Sequence, residues 1–218
     1  MLFDFGGTLD GALPWKERMF RFLRAEGVEV TPERFDPLFY RADDALVGAI
    51  PDTLSLRETV DRLAAGLGVA LGLSDALVEQ VARRFVEDTT RCVRGNLSVL
   101  SALARRYELG IVSNFYGNLP RVCEDVGLRP LFNVIVDSTE VGCTKPDPRI
   151  FQHALAKLGL QPDAVTFVGD SLPRDMAGAR GIGMAHIWLA GEATSPPQAC
   201  CADDRVIHSL GELAGLLL

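Results

Sequence analysis

From about residue 109 to its last residues, this chain alternates short apolar runs with amphipathic stretches. No other feature limits its possible folds as much. Leu109 to Val112, Val134 to Val136, Val165 to Val168 and Ala185 to Leu189 read as strands, and Val206 to His208 as a last edge strand. Between them, Leu119 to Val126 and the stripe Ile150, Phe151, Ala154, Leu155 and Leu158 have helical spacing. Pro173 to Arg180 reads as a short helix with proline in its first turn, and Leu210 to Leu217 as a final helix. Met1 to Phe5 reads as a further buried strand, stopped by Gly6-Gly7. Strand–helix alternation of this kind predicts an α/β fold, a doubly wound parallel sheet with helices on both faces.

A second pattern interrupts the first. From Pro14 to about Cys92 every apolar repeat is helical: Trp15, Met19, Phe22 and Leu23; Phe35, Leu38, Phe39 and Ala42; Leu56, Val60 and Leu63; Leu77, Val81, Phe85 and Val86. Four helices are expected here. The chain therefore divides into an α/β core (residues 1–13 and 93–218) and an inserted helical domain (residues 14–92). Only three residues precede Asp4. A strand is usually about 5–6 residues long, so a start upstream of Met1, or a trimmed chain, is expected.

Composition excludes several function classes. The net charge of −7 argues against a general binder of nucleic acid or of anionic membranes. It does not argue against a small phosphorylated ligand, which needs only a local positive site. No apolar run reaches the roughly 18–20 residues of a membrane span, and no basic leader precedes an apolar segment. The five cysteines are odd in number and form no C-x-x-C pair, which argues against a disulfide framework or a zinc site. Reduced thiols and a cytoplasmic location follow, with Cys200-Cys201 read as an incidental loop pair.

In open parallel sheets ligands sit at the carboxyl ends of the strands, and four such ends carry polar residues. Asp4 precedes Gly6-Gly7-Thr8, Ser113-Asn114 follows Leu109 to Val112, Lys145 follows Val134 to Val136, and Asp170 follows Val165 to Gly169 with Asp175 close behind. Glycines after Asp4 allow backbone N–H groups to face an anion. Grouped carboxylates suit Mg²⁺, which prefers oxygen ligands. A lysine and a hydroxyl beside a carboxylate nucleophile suit phosphoryl transfer.

D-F-G-G-T-L-D (Asp4 to Asp10), V-S-N (Val112 to Asn114), K-P-D-P-R-I-F (Lys145 to Phe151) and V-G-D-S-L-P-R-D (Val168 to Asp175) resemble, in order, the four motifs of the haloacid dehalogenase-like (HAD) hydrolases. The helical insert resembles the cap of that family's small-cap subgroup. The resemblance implies a Mg²⁺-dependent phosphatase of a small phosphorylated metabolite. Asp4 would attack phosphorus and form an aspartyl-phosphate. Asp4, the Gly6 carbonyl and Asp170 would ligate Mg²⁺, with Asp175 as ligand or supporting partner. Ser113, Asn114, Gly7 and Lys145 would hold phosphoryl oxygens, Lys145 also touching Asp4.

The chain departs from that pattern at Gly6, where the family's phosphatases usually carry a second Asp as general acid and base. Such a group contributes about 10²–10⁴-fold. Some sugar-phosphatase-like members have glycine there, and Asp10 or Glu17 are the candidates to stand in. Alternative readings are a weakened, HAD-like binding protein, a dehalogenase, or a phosphonate-cleaving enzyme using the insert's only lysine, Lys16. The dehalogenase reading leaves Asp170 and Asp175 without a purpose. Trp15, Phe35 and Phe39 read as packing residues of the insert, His153 as solvated and His186 as packed. These motifs encode neither substrate identity nor oligomeric state.

Overall fold

A computed structural model of the chain describes residues 1–191 and 205–218; Cys200 and Cys201 lie outside them. In chain order, β1 (Leu2–Phe3) is followed by four helices: α1 (Trp15–Ala25), α2 (Pro32–Asp44), α3 (Leu56–Leu71) and α4 (Asp75–Ala104). Then come β2 (Gly110–Ser113), α5 (Leu119–Asp125), β3 (Val134–Asp137), α6 (Ser138–Val141) and α7 (Pro148–Leu158). The chain continues with β4 (Thr166–Gly169), α8 (Ala177–Gly181), β5 (Ala185–Leu189), β6 (Arg205–Ile207) and α9 (Leu213–Leu217).

The six strands among the described residues are all parallel, in the order β3-β2-β1-β4-β5-β6. Successive side chains on a strand point to opposite faces, and both faces are covered. Leu2, Val112, Val136 and Phe167 pack with Ile150, Phe151 and Ala154 of α7. Phe3, Ile111 and Val168 pack on the other side, with Leu100 and Leu103 of α4 and Leu119 and Val122 of α5. This is the expected doubly wound α/β sheet. Strand order reverses between β1 and β4, and such a switch point opens a crevice at the carboxyl ends.

The four helices predicted after Pro14 are present, but the fourth does not stop near Cys92. It runs 30 residues to Ala104, because Val93, Leu100 and Leu103 keep its apolar face buried. At about 1.5 Å per residue it is roughly 45 Å long, and it packs both on α1 and α3 and beneath the sheet. Pro173 does not open a regular helix. Residues Leu172–Met176 form a wide turn, held by Asp175 N–H donating to Ser171 O at 2.8 Å, and α8 begins at Ala177. No described helix is long and apolar enough to cross a membrane.

Candidate active site

The sheet order alone brings the site together. β1 lies between β2 and β4, with Phe3 level with Ile111 on one side and Val168 on the other. At the carboxyl ends of those strands stand Asp4, Ser113 and Asp170. Asp4 is 7% exposed, and its N–H donates to Val168 O at 2.9 Å. Its Oδ1 accepts from Ser113 Oγ at 2.7 Å and from Lys145 Nζ at 2.6 Å. Lys145, only 4% exposed, also lies 2.6 Å from Asp175 Oδ1.

Asp4, Asp170 and Asp175 each place a carboxylate oxygen within 4.8 Å of the others. Burial, then the Asp4 and Asp175 charges, push the Asp170 carboxyl well above the usual carboxylate range. Burial also raises Asp175, against the opposing pull of Lys145. Burial alone would lower Lys145, but the Asp175 and Asp4 carboxylates outweigh it and hold its pKa up. Three carboxylates thus face one buried ammonium, and a divalent cation relieves that imbalance. Oxygens sharing Mg²⁺ at about 2.0–2.1 Å lie roughly 3–4 Å apart, so the cluster fits with modest tightening. Asp175 has its other oxygen on Ser171 N–H at 3.0 Å, which suits bracing Lys145 more than ligating.

Two glycines make this crowding possible. Gly7 has φ +87°, and a Cβ there would lie 2.7 Å from Asp170 Oδ2. A Cβ at Gly169 would collide with the Asp175 carboxylate. The Gly7 N–H, expected to face a bound anion, donates to the chain's own Asp10 carboxylate at 2.8 Å. Asn114 commits its amide to the Lys145 backbone, donating to Lys145 O at 3.2 Å and accepting from Lys145 N at 2.7 Å. It thereby holds the lysine loop. Gly6 has ordinary backbone angles (φ −74°, ψ 115°), and a Cβ there would rest 3.5 Å from the Trp15 indole.

The cavity above Asp4 has a volume of ≈ 210 Å³. Its floor is Asp4, Ser113 and Lys145; its walls include Glu17, Tyr116 and Arg174. Trp15 and Phe39, expected only as packing residues, are buried and also line it. Phe35 is packing alone and His153 is exposed, while half-buried His186 sets Nδ1 3.3 Å from Met184 O. Asp10, a candidate stand-in acid, is fully buried and hydrogen-bonded. Besides Gly7 it accepts from Trp15 Nε1 at 2.6 Å and from the Arg18 guanidinium. Sequence reasoning missed this knot, and it missed Phe115-Tyr116, although their place directly after Ser113-Asn114 was a signal.

A sequence model of the haloacid dehalogenase-like hydrolases matches residues 1–183. The human haloacid dehalogenase-like hydrolase domain-containing protein 3 is 29% identical over 205 residues, covering 87% of this chain and 81% of that one. Pyrimidine 5'-nucleotidase YjjG of Escherichia coli K12 is 36% identical over 126 residues, 56% of this chain and 55% of the relative. Among the relatives matched first, the chain spans about half their length, 49% for the bovine domain-containing protein 3. Among solved structures, an HAD phosphatase from Thermococcus onnurineus superposes with TM-score 0.59 at 22% identity, over 99% of this chain and 96% of that one. A dehalogenase with an intermediate complex gives 0.67 at 22%, over 99% and 95%. At such identity the likeness speaks for the fold. The family match over most of the chain, on the sheet that family shares, makes this protein a member of the haloacid dehalogenase-like hydrolases.

Proposed function

We propose that this hydrolase is a Mg²⁺-dependent phosphomonoesterase acting on a small phosphorylated metabolite, with Asp4 as nucleophile. One observation carries the reading: the Asp4 carboxylate is fixed at Oδ1 by Ser113 and Lys145, with Asp170 and Asp175 beside it. An anchored carboxylate lining a cavity is oriented for in-line attack on phosphorus, and orientation is a large part of what such a reaction requires. Ser113 and Lys145 stand where they can also donate to phosphoryl oxygens. Asp4, Asp170 and the Gly6 carbonyl are the groups to hold Mg²⁺, whose contribution there is neutralising charge on the phosphoryl oxygens. Asp4 displaces the leaving group and becomes an aspartyl-phosphate, which water hydrolyses.

The cavity supports a small substrate, being below the roughly 300–1,000 Å³ of drug-sized ligand pockets. Relatives named phosphoserine phosphatase and glyceraldehyde 3-phosphate phosphatase, matched over 40% and 44% of this chain, agree with that class. Phosphonate cleavage through Lys16 is disfavoured. A Schiff-base lysine must lose its proton, and the slight burial that would lower Lys16 is outweighed by Asp36, paired with it at 2.7 Å. On this reading residues 14–92 act as a cap over the cavity, because Trp15, Phe39 and Tyr40 form one wall and the core residues the other.

The test is hydrolysis of p-nitrophenyl phosphate by the wild type and by Asp4→Asn, with Mg²⁺ or with EDTA. Turnover that needs both Mg²⁺ and Asp4 supports the proposal. Turnover unaffected by Asp4→Asn sinks it.

A further inference from the structure

Breaking a P–O bond to an alkyl alcohol releases an alkoxide unless a proton arrives, and water attacks an aspartyl-phosphate slowly unless a base takes its proton. Glycine at residue 6 can do neither. Besides Asp4, the carboxylates that line the cavity are those of Glu17 and Asp43. Asp43 accepts the Tyr116 hydroxyl. Asp10 lies beneath, with both oxygens hydrogen-bonded.

Glu17 is the third residue of α1, the place where a glutamate usually turns back to the N–H of the residue capping the helix. Glu58 does so for Ser55, and Glu212 for Ser209. At α1 the capping residue is Pro14, which has no N–H to offer. The usual local use of Glu17 is therefore closed. Its Oε2 is buried and has no hydrogen-bond partner, although buried polar atoms are nearly always satisfied. Two residues earlier on the same turn, Trp15 places its indole over Gly6. The helix end that covers the carboxylate-free position thus brings its own carboxylate to the same cavity.

We propose that Glu17 is the general acid and base of this site, supplied from α1 in place of a carboxylate at residue 6. This rests on the phosphomonoesterase reading above. As Asp4 forms its bond to phosphorus, the P–O bond to the leaving group breaks, its electron pair stays on that oxygen, and protonated Glu17 supplies the proton. The Glu17 carboxylate then takes a proton from water as that water's oxygen attacks phosphorus. The bond between phosphorus and Asp4 breaks, inorganic phosphate leaves, and Glu17 is protonated again for the next cycle.

The experiment compares the wild type, Glu17→Gln, Asp43→Asn and Asp4→Asn on an alkyl monoester (glycerol phosphate) and on p-nitrophenyl phosphate, across pH. Glutamine keeps the shape of the side chain, so an unchanged melting temperature is the check on folding. Glu17→Gln is expected to lose about 10²-fold or more in kcat/KM on the alkyl ester, which reports the step that releases the alcohol. It should lose far less in kcat/KM on the nitrophenyl ester, whose leaving group needs no proton, while kcat falls on both because they share the aspartyl-phosphate, and one limb of the pH–rate profile should disappear. An equal loss in kcat/KM on both esters, or no loss on either, overturns the assignment while leaving Asp4 chemistry intact. So does a selective loss in Asp43→Asn but not in Glu17→Gln. A wild type with no Asp4-dependent turnover of either ester removes the underlying reading and this inference with it.

Discussion

Arg18→Met should destabilise the protein by about 3 kcal/mol near neutral pH, and by less in acid. Arg18 is 3% exposed, with its guanidinium on the fully buried Asp10 carboxylate. It also donates to Asp10 O at 3.0 Å and Thr89 Oγ1 at 3.1 Å, and lies 4.5 Å over the Phe85 ring. Methionine keeps most of the apolar stem and loses the charge. Removing one partner of a buried pair costs about 3–5 kcal/mol, because the other charge stays behind. Asp10 retains the Gly7 and Trp15 donors, which places the cost at the low end. For a chain of this size roughly 2–4 °C accompanies each kcal/mol, so melting should fall by about 6–12 °C. The pH dependence follows from Asp10, whose carboxyl burial already raises, with Arg18 foremost among the opposing influences. Without the guanidinium it rises further. A raised folded-state carboxyl favours the native state below its unfolded value of about 3.9 and loses that support as pH climbs through the folded value. The deficit should therefore be smaller at pH 5 than at pH 8. Calorimetric melting of both proteins at the two pH values measures it. A variant melting with the parent at pH 8, or a deficit as large at pH 5, refutes the reasoning.

Gly6→Asp should fold, since the backbone angles are ordinary and the new Cβ meets the Trp15 indole at van der Waals distance. In a Glu17→Gln background it should restore much of the lost alkyl-phosphate turnover, and in the wild type change it little, as steady-state kinetics on glycerol phosphate will measure. Mg²⁺ at about a hundredfold excess over its Kd should stabilise the wild type by roughly 2.7 kcal/mol. Asp170→Asn should abolish that thermal shift in a melting assay, and an unchanged shift would place the cation elsewhere.

The strands and their polar ends were legible because both depend on local signals. A short apolar run identifies a parallel strand, and the residue just after it is where such a sheet exposes chemistry. Asp4, Ser113 and Asp170 were read this way, and the structure brings them together with Lys145 from the loop beyond α6. What escaped was set by tertiary contacts. Arg18 lies on α1 among apolar residues, and nothing in a helical period separates a buried arginine from a solvated one. Gly7 was read from its freedom to face an anion, but Asp10, three residues on, takes its N–H. Trp15 and Phe39 look alike in sequence whether they fill a core or wall a cleft, and here they do both. The end of α4 was missed because Cys92 and Gly95 interrupt the apolar reading without interrupting the helix.

The knot around Asp10 explains how residues from two separate stretches could act on one phosphorus atom. Asp10 ends the loop that begins at Asp4, and its partners Trp15 and Arg18 both belong to α1. Arg18 reaches on to Thr89 of α4, while the Trp15 ring meets Phe85 of α4 at 5.0 Å and Phe115, beyond β2, at 5.5 Å. The loop that follows Asp4 and the first turn of α1 are therefore fixed to each other through the fully buried Asp10 side chain. Glu17 sits on that turn, between Trp15 and Arg18 in register with neither, so its distance from Asp4 is set by the same contacts. A proton donor supplied from an insert is useful only if the insert cannot drift, because misplacement by about 1 Å can cost about a hundredfold. A core carboxylate at residue 6 would need no such tether. On the proposed chemistry, glycine at 6, the indole over it and the buried Asp10–Arg18 pair are one arrangement, in which helix α1 takes over the leaving-group side of the site while the sheet keeps the phosphoryl side.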